Sequence, residues 1–358
     1  MFTLGPTARI LIVRLSAIGD VMHALPMIAA IREALPQAYL AWLVEGRTAE
    51  LLRSHRGLDE LIVLPRRWLR SPRTVFDLRR KLRALEFDVA IDVQGLSKSA
   101  IAARLSGARR RIGLGGPDGR EISPWLNNEW VEPQQAHIVD RNLELLGPLG
   151  IRPRSVRFDL EDAAVDRMTA EKIIETHHLS ERFGMINPGA GWPSKLWPAD
   201  RHAAIARYLG QQRSLRSLVV WAGAQEKAWA AQIVAGSAGF AQLAPPTSLT
   251  ELAALARRAT IFVSSDSGPL HVAAAVGTPC VGLFGPMPAE RNGPYGAHNV
   301  TVQKMRLGGT SRSRRTAGPE SMAAISVADV TAACDQVLGR KIMAGANFRP
   351  LKESRPAV

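Results

Sequence analysis

Residues Phe262-Val263-Ser264-Ser265-Asp266-Ser267-Gly268-Pro269-Leu270-His271 run from a hydrophobic, strand-like stretch straight into a helix that opens on Gly-Pro. Proline just inside a helix start gives up an amide that has no intrahelical acceptor, and glycine beside it lets a ligand approach the backbone. The free N–H groups of that first turn suit an anion. Strand-to-helix connections occur in every α/β domain, so this turn gains weight from a second one at the front of the chain. It reads Arg14-Leu15-Ser16-Ala17-Ile18-Gly19-Asp20.

Outward from these two turns, short apolar runs alternate with helical patterns, the mark of parallel βαβ units. The patterns predict strands over 10–14, 39–44, 61–64, 89–93 and 111–114, and helices over 21–35, 48–54, 75–85, 97–105 and 136–149. Gly147-Pro148-Leu149-Gly150 followed by Arg152-Pro153 reads as a linker. A second series has strands near 183–187, 218–222, 241–243, 261–264 and 280–284, with helices near 199–209, 225–235, 249–258 and 268–276. Ser248 and Glu251 form a capping box for the third of these helices. The expected fold is α/β: two Rossmann-like, doubly wound domains, 1–150 and 151–340, with an interdomain cleft and a tail at 341–358. Ligands bind such sheets at the carboxyl ends of their strands. The polar, basic segment 304–319 reads as a mobile loop, and 329–338 as a closing helix.

The length of 358 residues suits two domains, and 46% apolar residues can fill both cores. No apolar run approaches the roughly 20 residues that span a bilayer, and the start lacks the layout of a secretory signal, so a cytoplasmic protein is expected. Cys280 and Cys334 fit neither a disulfide framework nor a zinc site. Lys and Arg number 46 against 32 Asp and Glu, a formal charge of +14. Such a surface attracts nucleic acid, an anionic membrane, or a substrate rich in phosphate and carboxylate. With only 6% aromatic residues to stack bases, the Arg-rich surface is a weak nucleic-acid signal.

The first turn has one glycine where a dinucleotide fingerprint needs three, which argues against a nicotinamide cofactor. Asp20, at a strand's carboxyl end beside Gly19, fits a general base and fits an N-cap equally well. In the second half, Asn187-Pro188-Gly189-Ala190-Gly191-Trp192-Pro193-Ser194-Lys195 is another glycine-bearing junction, and Lys195 supplies a point charge suited to phosphate. A third junction, Trp221-Ala222-Gly223-Ala224-Gln225-Glu226, offers side chains to a ribose. No Asp-x-Asp occurs, so a phosphate-bridging metal held by a short acidic motif is not expected. Lys195 and the amides at Gly268 would neutralise a leaving group instead. His271 reads either as a helix-packing residue or as a ligand contact.

Taken together, Ser16-Ala17-Ile18-Gly19-Asp20, Asn187-Pro188-Gly189 with Lys195-Leu196-Trp197-Pro198, and 266–271 resemble the family 9 glycosyltransferases, the ADP-heptose:lipopolysaccharide heptosyltransferases. The first half looks most like the heptosyltransferase I branch, through Arg66-Arg67-Trp68, Ile91 to Ala100, Arg120-Glu121 and His137 to Leu146. The resemblance covers residues 9 to 300 and implies a GT-B fold. It implies an inverting, metal-independent transfer of L-glycero-D-manno-heptose from ADP-heptose to a Kdo residue of the lipid A precursor, with no cofactor. Asp20 would be the catalytic base. Lys195, Ser194, Gln225, Glu226, Asp266, Ser267, Gly268, Pro269, Leu270 and His271 would bind the donor, and Ser16, Gly19, Arg66, Arg70, Lys98 and Arg120 the acceptor.

The resemblance further implies a monomer that binds no nucleic acid and sits peripherally on the cytoplasmic face of an anionic inner membrane. Helix 75–85 would turn Arg79, Arg80 and Arg83 to solvent or, second, to that membrane. Two positions depart from the family pattern. Leu69 stands where a basic residue is expected, so that acceptor contact is either missing or supplied by Arg73. The acidic ribose position aligns with Gln225, one step from Glu226, and either side chain can take the role. Other readings are a GT-B transferase or epimerase with a different nucleotide sugar or acceptor, and a non-catalytic protein that binds nucleotide or nucleic acid.

Overall fold

The computed structural model describes residues 4–179 and 181–339, so the expected tail at 341–358 lies outside the described residues. Two compact units form, the first running to Glu161 and the second starting at Asp162. The expected boundary at 150 falls short because the next residues stay with the first unit. The Ile151 amide donates to Leu146 O, Val156, Phe158 and Leu160 are buried, and Arg56 pairs with Glu161 at 2.8 Å.

In the first unit, β1 (Arg9–Val13), β2 (Tyr39–Glu45), β3 (Glu60–Leu64), β4 (Val89–Asp92), β5 (Arg110–Leu114) and β6 (Glu129–Val131) form one parallel sheet in the order β3-β2-β1-β4-β5-β6. In the second, β7 (Gly184–Asn187), β8 (Ser217–Val219), β9 (Ala241–Leu243), β10 (Ile261–Ser265), β11 (Cys280–Leu283) and β12 (Val300–Val302) run β12-β11-β10-β7-β8-β9, also parallel. Counted from its own first strand, each sheet has the dinucleotide-fold order 3-2-1-4-5-6. The central strands are buried on both faces, which is why they read as unbroken apolar runs.

The helices of the first unit are α1 (Ile18–Ala24), α2 (Pro26–Ala34), α3 (Pro72–Ala84), α4 (Ser97–Ser106), α5 (Ser123–Leu126) and α6 (Ile138–Glu144). Those of the second are α7 (Ala164–Thr176), α8 (Ala199–Arg213), α9 (Gly223–Gly236), α10 (Leu249–Arg258), α11 (Gly268–Ala275), α12 (Ala289–Asn292), α13 (Ser311–Arg315), α14 (Glu320–Ala323) and α15 (Val327–Gly339). The helix expected over 21–35 is two, because Pro26 has no amide to continue the first. The stretch 48–54 is a tighter 3-10 segment, Gly46–Leu52. α3 buries Leu78 and Leu82 against Val75, Leu85 and the sheet and leaves Arg79, Arg80 and Arg83 exposed.

Segment 304–319 is more ordered than expected. Thr310 caps α13, its Oγ1 accepting from Ser313 N at 3.2 Å. Arg314 O in turn accepts from Ser194 Oγ at 2.9 Å, which ties this segment to the lysine-bearing junction.

One core residue makes the second unit acid-sensitive. His202 of α8 is fully buried against Trp197, with ring centroids 4.9 Å apart, and neither of its nitrogens finds a hydrogen-bond partner among the described residues. Burial pushes its imidazole down to about 3, against a weaker upward pull from Asp200. An unfolded histidine takes its proton near pH 6.5, so below that the unfolded chain binds a proton that the folded one refuses. The stabilisation from neutral His202 is complete above pH 6.5 and falls toward pH 3 by roughly 1.4 kcal/mol per unit. In urea titrations between pH 7 and 4.5, His202→Leu is expected to show a shallower loss of stability than the parent chain. Equal slopes would remove His202 as the cause.

Candidate active site

Parallel strands deliver the loops that follow them to one edge of the sheet, and the crevice opens where the strand order reverses. In the first unit that point lies between β1 and β4. The two strand ends are stitched together there: Leu15 N donates to Gln94 Oε1 at 2.9 Å, and Arg14 Nη1 donates to Val93 O at 2.8 Å.

Asp20 stands just past β1 and is 39% exposed. It is the third residue of α1, not the N-cap. One carboxylate oxygen accepts from Ala17 N at 3.1 Å, and the other pairs with Arg14 Nη2 at 2.8 Å. Gly19 precedes it within the first turn, and Ser16, half-buried, opens the loop across a cis peptide to Ala17. The carboxylate is thus aimed by two contacts and still open to solvent, a geometry suited to taking a proton from a bound hydroxyl. Sequence reasoning missed Arg14. Its signal is a cation at the end of a buried strand, six positions before an acid in a helix's first turn.

The basic residues expected at the acceptor follow β3, β4 and β5 at this same edge. Buried Trp68 anchors a short turn, Trp68–Arg70, that leaves Arg66, Arg67, Leu69 and Arg70 exposed. The Arg66 side chain lies along Gly46, at the end of β2. Lys98 is already engaged, in an ion pair with buried Glu45. Arg120 is exposed on a loop held by its own amide, which donates to Gly95 O at 3.1 Å, and by Glu121, which accepts from Ser97 N at 2.8 Å.

Beneath that loop, the buried Asp92 carboxylate accepts from Gln94 N, Gly95 N, Ser123 Oγ and Asn127 Nδ2 at 3.0–3.1 Å. A buried carboxylate surrounded by four donors fixes both loops at once. The sequence hides this role, because Asp92 and its side-chain donors are more than thirty positions apart.

In the second unit the reversal point lies between β7 and β10, and again side chains stitch it. Asn187 Nδ2 donates to Ser264 Oγ at 3.0 Å and to Ser267 Oγ at 3.1 Å. Ser267 precedes α11 in extended backbone, and no side chain caps the helix. Its first-turn amide at half-buried Gly268 therefore remains open to an anion, while Pro269 has none and Leu270 is fully buried.

Beside this turn Asp266 is buried, pairing with Lys195 Nζ at 2.5 Å and with His271 Nε2 at 3.3 Å. Burial pushes its carboxyl up. The His271 hydrogen bond and the Lys195 and His271 charges outweigh that, and Asp266 sits below the ordinary carboxylate range. Lys195 lies 4.3 Å over the Trp192 ring, held between an acid and an aromatic face. Its ammonium keeps donors beyond the one that Asp266 takes.

The structure places two of the expected donor residues differently. Ser194 is buried and gives its hydroxyl to Arg314 O, which braces the 304–319 segment. At the third junction Gln225 is exposed, whereas the Glu226 carboxylate lies against Gly189, where an added Cβ would stand 2.3 Å from it. Burial raises the Glu226 carboxyl, against the pull of Ala222 N, which donates to it at 2.8 Å. The helical phase of α9 sets this difference between the two neighbours.

Two doubly wound units with these strand orders are the GT-B architecture. A family 9 glycosyl transferase structure from Veillonella parvula covers 93% of this chain and 97% of its own, with a TM-score of 0.81 at 22% identity. The Escherichia coli heptosyltransferase WaaC, solved with ADP, covers 92% of this chain and 99% of its own, with a TM-score of 0.73 at 23% identity. Residues 75–318 match the model of glycosyltransferase family 9 (heptosyltransferase), and the chain belongs to that family. It is a glycosyltransferase. Among named relatives, lipopolysaccharide heptosyltransferase 1 of Salmonella typhimurium is 29% identical over 304 residues, 82% of this chain and 93% of that protein.

Proposed function

We propose that this glycosyltransferase moves L-glycero-D-manno-heptose from ADP-heptose to a Kdo residue of the lipid A precursor, with inversion and without a metal ion, in lipopolysaccharide inner-core synthesis. The observation that carries the reading is Asp20, a half-exposed carboxylate aimed by Arg14 and Ala17 N. Asp20 takes the proton of the acceptor hydroxyl as that oxygen attacks the anomeric carbon. The bond to ADP breaks on the opposite face, so a single displacement inverts the centre.

On the second unit, Lys195 and the Gly268 amide at the start of α11 take up the charge that develops on the departing diphosphate. Glu226 receives the ribose hydroxyls. Exposed Arg66, Arg70 and Arg120 suit bidentate binding of the acceptor's carboxylates and phosphates, while Lys98 steadies Glu45 beside them. The names of the relatives and the ADP in the Escherichia coli structure support the donor and pathway. No helix among the described residues is long and apolar enough to cross a membrane.

Purified enzyme incubated with ADP-heptose and Kdo-lipid A is expected to release ADP and to add one heptose to the lipid. Release of ADP only with a different acceptor would refute the acceptor assignment, and release from a different nucleotide sugar would refute the donor.

A further inference from the structure

The largest exposed apolar side chains of the first unit include a group that the reaction does not use. Ile122, Trp125 and Trp130 are 46%, 88% and 55% exposed. Two hydrogen bonds tie the segments that carry them together: Trp125 N donates to Ile122 O at 3.1 Å, and Trp130 Nε1 donates to Pro124 O at 2.9 Å. The second tryptophan is therefore held in place, and the first projects from α5 with nearly its whole surface in water. Leaving two indoles and an isoleucine together in water is a cost that a docking surface explains.

The rim of this patch is cationic. Arg104, Arg109 and Arg120 are exposed, and Arg111 reaches back to Leu126 O at 2.9 Å. Of the nearby acids, Glu129 is locked to Arg110 through both oxygens, which leaves exposed Glu121, one oxygen of which accepts from Ser97 N, and exposed Glu132 at the end of β6. Tryptophans with arginines around them match the interface of a bilayer, where indoles sit at headgroup level and guanidinium groups meet anionic lipid. We propose that the face carrying Ile122, Trp125 and Trp130 docks the first unit on an anionic lipid surface.

This deepens the lipid-acceptor reading and rests on it for its purpose. Ser123 N donates to Arg120 O, so the docking turn is continuous with the loop proposed to bind the acceptor. Docking there would hold Arg120 at headgroup depth, where a lipid-borne sugar is presented.

The test is co-sedimentation of the full chain with vesicles of phosphatidylethanolamine and phosphatidylglycerol, beside vesicles of phosphatidylcholine alone. Binding is expected to the anionic vesicles, with a blue-shifted tryptophan emission, and to weaken as salt is raised. Ile122→Ala with Trp125→Ala changes only exposed side chains and is expected to lower the partition coefficient at least tenfold. Arg104→Glu is expected to weaken binding to anionic vesicles alone.

No binding to anionic vesicles, or binding indifferent to the double substitution, would overturn the proposal. So would a dimer of the parent chain that the double variant dissociates, since the patch would then belong to a second copy. ADP release with detergent-dispersed Kdo-lipid A, measured on the same variants, keeps the two readings apart. Its absence in the parent chain counts against the reaction, and vesicle binding is scored without it.

Discussion

Asp20→Asn is expected to lower kcat by about 100-fold or more while leaving the affinity for ADP nearly unchanged. General-base catalysis contributes roughly 10²–10⁴ in rate, and an amide cannot take the proton. Asparagine keeps an oxygen for Ala17 N or Arg14, so the first turn of α1 retains its contact and the fold is not at stake. ADP release at saturating donor and acceptor measures the turnover, and calorimetric titration with ADP measures the binding. A kcat within a few-fold of the parent would remove Asp20 from the chemistry. A parallel collapse in ADP affinity would point to misfolding or to a donor-side role.

Lys195→Ala is expected to cost both stability and catalysis. Lys195 and Asp266 are both largely buried, and removing one partner of a buried pair costs about 3–5 kcal/mol, because the other charge stays behind. The sign with pH follows from Asp266. Its carboxyl is depressed, so its stabilisation is present above the ordinary carboxylate range and is lost as pH falls through its lower folded value. Without Lys195 the folded-state carboxyl rises toward its unfolded value, so that acid-side loss should shrink.

Loss of the cation facing the leaving diphosphate is expected to lower kcat by a further factor of about 10²–10³. The double variant Lys195→Met with Asp266→Asn separates the two effects, since no buried charge is left unpaired. It should regain much of the thermal stability while remaining as inactive as the single variant. Recovery of activity along with stability would show that Lys195 acts only as a counter-ion.

The sequence made some elements easy to read and others nearly invisible, for particular reasons. β1, β2 and β10 are unbroken apolar runs because both faces of a central parallel strand are covered. By contrast β6 and β12 are three residues each, at the outer edge of their sheets, too short to show a period, and both escaped. α7 escaped for another reason: Val165 and Met168 face solvent while Ala170, Ile173 and Ile174 face inward, which blurs the apolar stripe. Ser248 and Glu251, a capping box in sequence, are one in the structure, because such a cap needs only neighbours along the chain.

By itself the sequence determined the alternation of strands and helices, the two-domain α/β class and the turns that hold Asp20, Lys195 and Gly268. Each of these is a local property, settled by residue type within a few positions of itself. Only the tertiary structure decided which partner each polar group takes: Arg14 for Asp20, Asp266 for Lys195, Arg314 O for Ser194, and Gly189 rather than solvent beside Glu226. Most of those partners come from distant stretches of chain. Strand order and helical phase bring them together, and the cost of burying a polar group without a partner then selects which pairs survive.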